Sequence, residues 1–66
     1  MLVTVNGSAR EVTAGSTLPE LLQGLGLQVG SVVVEHNGTA LLRSEVLATT
    51  LTEGDVLELV KAVAGG

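Results

Sequence analysis

Few residues in this chain could do chemistry. His36 is the single imidazole, and an imidazole can act as a general base near neutral pH. The valine-rich run around it holds no Ser, Cys or Lys at a spacing that builds a nucleophile–base dyad, so His36 reads as a partly buried structural side chain. Glu53, Asp55 and Glu58 cluster late in the chain, and paired carboxylates can divide acid and base work. Glu53 and Asp55 flank Gly54 in a turn, however, and Glu58 alternates outward from an apolar run. That pattern reads as a solvated turn plus one surface residue, with no EF-hand or other metal-ligand spacing. Gly24-Leu25-Gly26 has the composition of a phosphate loop but the wrong context: such a loop follows a strand and opens a helix, whereas these glycines close one. Arg43 follows a short apolar run, where it either anchors an internal carbonyl or faces a partner.

The end of the sequence, Val63-Ala64-Gly65-Gly66, narrows to residues without side chains and can extend about 14 Å. Glycine there suits a carboxylate that must enter a narrow channel of another protein, since it has no Cβ and free φ and ψ. The plain alternative is a frayed terminus, where glycine is common. If Leu57 and Leu59 face the core, alternation sends Glu58, Val60 and Ala62 to the opposite side of the sheet. A valine/alanine strip leading to such a tail has the character of a docking surface, although scattered exposed aliphatics are ordinary.

Composition closes off several classes of function. Sixty-six residues make one small domain. The apolar 45% contains no Phe, Tyr or Trp, so the core is a mosaic of aliphatic side chains and base stacking is excluded. A net charge of -4, with only Arg10, Arg43 and Lys61 as cations, gives no footprint for a phosphate backbone, so no nucleic-acid partner is expected. Without cysteine there is no disulfide framework, thiolate nucleophile or Cys-ligated metal, and a lone His36 builds no His-based site; no bound metal or cofactor is expected. Short apolar runs and an N-terminus unlike a leader point to a cytoplasmic protein, off the membrane and monomeric when alone.

The elements that must position these residues follow from local pattern. Residues 2–5 alternate as a strand and run into Asn6-Gly7, a hairpin turn signal, so residues 8–12 supply the second strand. In Thr17-Leu18-Pro19-Glu20 an N-cap hydroxyl, a first-turn proline and Glu at N3 form a capping box. Leu18, Leu21, Leu22 and Leu25 share one helical face, and Gly26 is the stop. Residues 31–36 read as a buried β-branched strand, followed by Asn37-Gly38 and a short strand over 39–42. Residues 43–52 fit a loop with a helical turn, and Glu53-Gly54-Asp55 launches the last strand, 56–63. The order ββαββ-β, with a sole helix across one face of a mixed sheet of four to five strands, is an α+β layout of the β-grasp (ubiquitin-like) type. Residues 1–63 form the domain and 64–66 a flexible Gly-Gly tail.

In this order and spacing, Val5-Asn6-Gly7, residues 15–22 (GSTLPELL), Val34-Glu35-His36-Asn37-Gly38, Arg43, residues 53–60 (EGDVLELV) and Ala64-Gly65-Gly66 together resemble the ubiquitin-like sulfur carriers, most closely the ThiS family of thiamin biosynthesis. The resemblance spans nearly the whole chain. It departs at His36, where an aliphatic residue is more usual, and at Leu42, where proline often precedes the arginine. It implies a carrier rather than an enzyme. An E1-like adenylyltransferase (ThiF) would use ATP and Mg²⁺ to adenylate the Gly66 carboxylate, and a persulfide relay from a cysteine desulfurase would replace AMP to leave a thiocarboxylate. Thiazole synthase (ThiG) would then take the sulfur. Gly66 is the residue modified on this reading, and Gly65 and Ala64 permit threading. Val60, Ala62, Val63 and Glu58 form the docking face. The alternatives are a carrier of another pathway, such as the small subunit of molybdopterin synthase, a noncatalytic ubiquitin-like interaction module, or a modifier attached to protein lysines.

Overall fold

The structure, a computed structural model, describes residues 1–61. Strand β1 (Leu2–Val5) turns through Asn6-Gly7 into β2 (Ser8–Glu11), and helix α1 (Leu18–Gly24) follows. A 3-10 turn (Val29–Ser31) then leads into β3 (Val32–His36), β4 (Thr39–Ala40), helix α2 (Arg43–Ala48) and β5 (Val56–Lys61). The strands form one mixed sheet in the order β2-β1-β5-β3-β4. The last strand is therefore central. It runs parallel to β1, with Thr4 opposite Val56, and antiparallel to β3, with Val34 opposite Leu59. This is the expected five-stranded β-grasp arrangement.

Local chemistry accounts for α1 at both ends. Thr17 at the N-cap accepts from the Glu20 N–H at 3.3 Å, while Glu20 accepts from the Thr17 N–H at 2.8 Å. The Thr17 N–H foremost, and the Thr17 hydroxyl, which donates to the same carboxylate oxygen at 3.0 Å, hold the Glu20 carboxyl below its ordinary value. At the other end Gly26 takes φ +76, its N–H donates to the Gln23 carbonyl, and the Leu27 N–H reaches back to the Leu22 carbonyl at 2.9 Å. These paired bonds are a Schellman stop, so the glycines do close a helix. Leu18, Leu21 and Leu22 face the sheet, where they meet Val34, Leu57 and Leu59. Leu18, Leu22 and Leu57 are completely buried, each contributing about 2 kcal/mol of apolar transfer energy.

Three expectations need correction. There is a second helix, α2, where a loop with one turn was expected. Glu45 Oε1 accepts from the Leu42 N–H at 2.7 Å, half of a capping box, and Val46 anchors the helix in the core. The strand expected over 39–42 ends at Ala40 because Leu42 becomes the N-cap of that helix. Finally, β3 is not buried throughout: Val34 is 1% exposed but Val33 is 51% exposed, since helices cover only one face of the sheet. A run of β-branched residues does not distinguish a two-faced from a one-faced burial.

Candidate functional site

Of the residues singled out for a role, Ala62, Val63, Ala64, Gly65 and Gly66 lie outside the described residues. The strand that leads to them does not. Leu57 and Leu59 are buried, and Val56, Glu58 and Val60 point the other way, as alternation requires. Val60 is 61% exposed and stands directly opposite Val33 on β3; Glu58 stands opposite Glu35. The uncovered face of the sheet thus carries two valines side by side on β5 and β3, toward the end where β5 leaves the sheet, and two carboxylates beside them. Like charges in directly opposed positions destabilise a sheet, by a few tenths of a kcal/mol to about 1 kcal/mol. Exposed Val56 and, on β1, Leu2 lie on the same face, separated from Val60 by Glu58.

At the start of β5 the structure overturns the reading of the acidic turn. Asp55 is 4% exposed, not solvated. Oδ2 accepts from the Thr52 N–H at 2.8 Å, and Oδ1 accepts from the Thr52 hydroxyl at 2.8 Å and from Asn37 Nδ2 at 3.1 Å. His36 Nε2 lies 3.0 Å from Oδ2. Burial works to raise the Asp55 carboxyl, but the Thr52 N–H, His36, the Thr52 hydroxyl and Asn37 together outweigh it and hold it well below the usual carboxylate range. The two bonds from Thr52 are local, but Asn37 and His36 arrive from a turn 18 and 19 positions away, and that part has no signal near residues 53–55. Glu53 is exposed as expected and accepts from the Leu2 N–H through both oxygens at 3.2 Å.

His36 is half-buried, as read from sequence, and its structural task is visible: with Asn37 it pins the β3–β4 turn to the start of β5. The hydroxyl beside this pair, that of Thr52, donates to Asp55 and not to the imidazole. Among the described residues, no group of three His, Cys, Asp or Glu side chains could hold a metal ion. Arg43 is exposed on α2, and its guanidinium covers Gly30, with Nη1 3.6 Å from where a Cβ would stand there. Sequence reasoning also missed a cleft of about 440 Å³ on the helix side, walled by Val5, Leu25, Leu27 and Leu59, with Arg10 and Lys61 among its lining residues. Two of the chain's three cations meet there, while the charged residues of the open face placed above are acids. No helix among the described residues is long and apolar enough to cross a membrane.

Comparison with known proteins agrees with this geometry. The model of the ThiS family matches residues 3–66. The sulfur carrier protein ThiS of Thermus thermophilus is 38% identical over 65 residues, which is 98% of this chain and all of that one. A thiazole synthase of Magnetococcus marinus is 38% identical over 66 residues, and one of Paramagnetospirillum magneticum 33% identical; the chain spans 20% of the length of each. Among solved structures, the crystal structure of a thiamine biosynthesis protein (ThiS) from Geobacter metallireducens superposes with a TM-score of 0.83 at 38% identity, covering the whole of both chains.

Proposed function

The chain belongs to the ThiS family, and from this we propose that it is the sulfur carrier of thiazole formation in thiamin biosynthesis. The body, residues 1–63, presents a tail, residues 64–66, whose Gly66 carboxylate is the reacting group. A ThiF-like adenylyltransferase, using its own ATP and Mg²⁺, joins that carboxylate to AMP with loss of pyrophosphate. A persulfide sulfur supplied through a cysteine desulfurase attacks the acyl carbon, AMP leaves, and reduction of the resulting acyl disulfide by a thiol releases the thiocarboxylate. A ThiG-like synthase takes the sulfur and the carboxylate form returns. The carrier performs no catalysis; it is a cosubstrate acting in the cytoplasm.

The observation that carries this reading is the end-to-end match with ThiS proteins, over 98% of this chain and 100% of the Thermus one. The two thiazole synthases in which a stretch resembles the whole of this chain support the synthase as recipient. The open face supports docking. Val60 and Glu58 sit on the central strand immediately before the tail, and a valine centre flanked by Glu35 and Glu58 fits a partner surface with an aliphatic knob and basic surroundings. Ala62 and Val63 continue that strip in sequence, and Gly65 and Ala64 leave the tail slim enough to thread. Incubation with an adenylyltransferase partner, ATP, Mg²⁺ and a sulfur source is expected to raise the mass of Gly66 by the difference between sulfur and oxygen. An unchanged mass, with the partner shown active on another carrier, refutes the assignment.

A further inference from the structure

Support for the outgoing end of β5 is unequal on its two sides. Toward β3 the pairing continues to the last described residue, with Val33 opposite Val60 and Val32 opposite Lys61. Toward β1 it stops at Val5 opposite Leu57, because β1 turns away at Asn6. The next backbone groups on that side belong to Leu59, and one side chain takes both. The Leu59 N–H donates to Asn6 Oδ1 at 2.7 Å, and the Leu59 carbonyl accepts from Asn6 Nδ2 at 3.2 Å. The primary amide thereby presents one acceptor and one donor, the pair that two successive peptide units of a longer parallel β1 would present to that residue. Asn6 can do this from the turn because its φ is 49, a left-handed conformation that asparagine tolerates better than most residues.

We propose that Asn6 is a positioning residue for sulfur loading: its amide stands in for a missing length of strand and fixes the direction in which β5 leaves the sheet toward Gly66. This rests on the carrier reading, since only there does the exit direction bear on chemistry. Without the amide, β5 beyond Leu57 is held along one edge only, and its end frays. A carboxylate delivered into a partner's catalytic pocket is sensitive to such freedom, because misplacement by about 1 Å can cost two orders of magnitude in rate. Docking through Val60 and Glu58 is separate, as those side chains point to the opposite face from the buried Leu59.

The test uses Asn6→Gly, which keeps the positive φ and removes the amide, and Asn6→Asp, which keeps the acceptor for the Leu59 N–H and loses the donor. In Asn6→Gly the Leu59 amide is expected to exchange with solvent about tenfold faster after correction for global stability, while the Val34 amide is unchanged. Adenylation of the chain, followed by pyrophosphate release, is expected to lose about fivefold in kcat, the size of one net hydrogen bond, with KM for the carrier held within about twofold. Asn6→Asp should fall between the two. Asn37→Gly, at the other turn, should leave kcat and KM at their original values, and Leu59 exchange likewise after the same correction for global stability. Unchanged Leu59 exchange, unchanged kcat in Asn6→Gly, or an equal kcat loss in Asn37→Gly each overturns the proposal. If the unaltered chain is never adenylated, the carrier reading fails and the positioning role for loading falls with it, whereas the exchange measurement still decides whether Asn6 holds the strand.

Discussion

Asn6-Gly7 and Asn37-Gly38 close two hairpins with nearly the same backbone: the asparagines have φ 49 and 51, the glycines 84 and 86. Both asparagines send their side chains to β5. There the likeness ends. Asn37 holds the start of the strand, its Oδ1 accepting from the Val56 N–H at 2.8 Å while Nδ2 joins His36 and Thr52 around buried Asp55. Asn6 holds the far end at Leu59 alone. The entry of β5 is fixed by several groups that rely on one another, whereas on the β1 side its exit is fixed by a single amide. The contrast lies along one edge only, since toward β3 the strand is paired to Lys61 and Leu59 remains in the core.

The largest expected effect comes from dismantling the entry. Asp55→Ala leaves the Thr52 N–H and hydroxyl, the Asn37 amide and His36 without their acceptor, and should destabilise the fold by about 3 kcal/mol, read as a fall in denaturant midpoint at constant slope. A loss below about 1 kcal/mol would mean that the entry is no better held than the exit.

Acid should expose the same asymmetry. The folded-state carboxyl of Asp55 titrates below its ordinary value of 3.8, so its stabilisation is fully present above that pH and is lost as pH falls through the lower folded value. Denaturant midpoints followed down from neutral pH should therefore drop below about pH 4, and Asp55→Asn should flatten that drop. An unaltered acid slope in Asp55→Asn would place the sensitivity elsewhere.

The smallest effect, and the sharpest comparison, lies in the turns themselves. Glycine preserves the positive φ at each, so Asn37→Gly and Asn6→Gly report the side-chain bonds with little backbone penalty. Asn37→Gly should cost about 2 kcal/mol, because it also weakens the surroundings of Asp55, and Asn6→Gly about 1 kcal/mol. Thermal unfolding of both variants checks the order, and a reversal would break the contrast drawn here.

The two turns also mark how far the sequence could be read. Each Asn-Gly announces its own hairpin, because the requirement for positive φ is local. The same holds for the capping box at Thr17 and Glu20 and for the stop at Gly26, where every partner lies within five residues. The alternation that places Val60 and Glu58 outside is equally local. What each asparagine side chain grips is not: Leu59 lies 53 positions from Asn6, and Asp55 18 from Asn37. Asp55 looked solvated for that reason, its neighbours Glu53 and Gly54 being true turn residues. Helix α2 escaped notice because its N-cap is Leu42, which offers no side-chain acceptor, and because Val46 alone is buried from its six residues. The outward placement of Val60 and Glu58 was thus legible from period alone, and the groups that hold their strand were not.

A central strand that is also the last of the described elements has a consequence for how this domain comes into being. On the ribosome β5 emerges after every other described element, and until it does β1 and β3 have no shared neighbour; the N-terminal hairpin can only wait. A chain cut short before Val56 cannot close its sheet and stays open to proteolysis. Quality control is thereby built into topology: the body becomes durable only once its central strand has been translated.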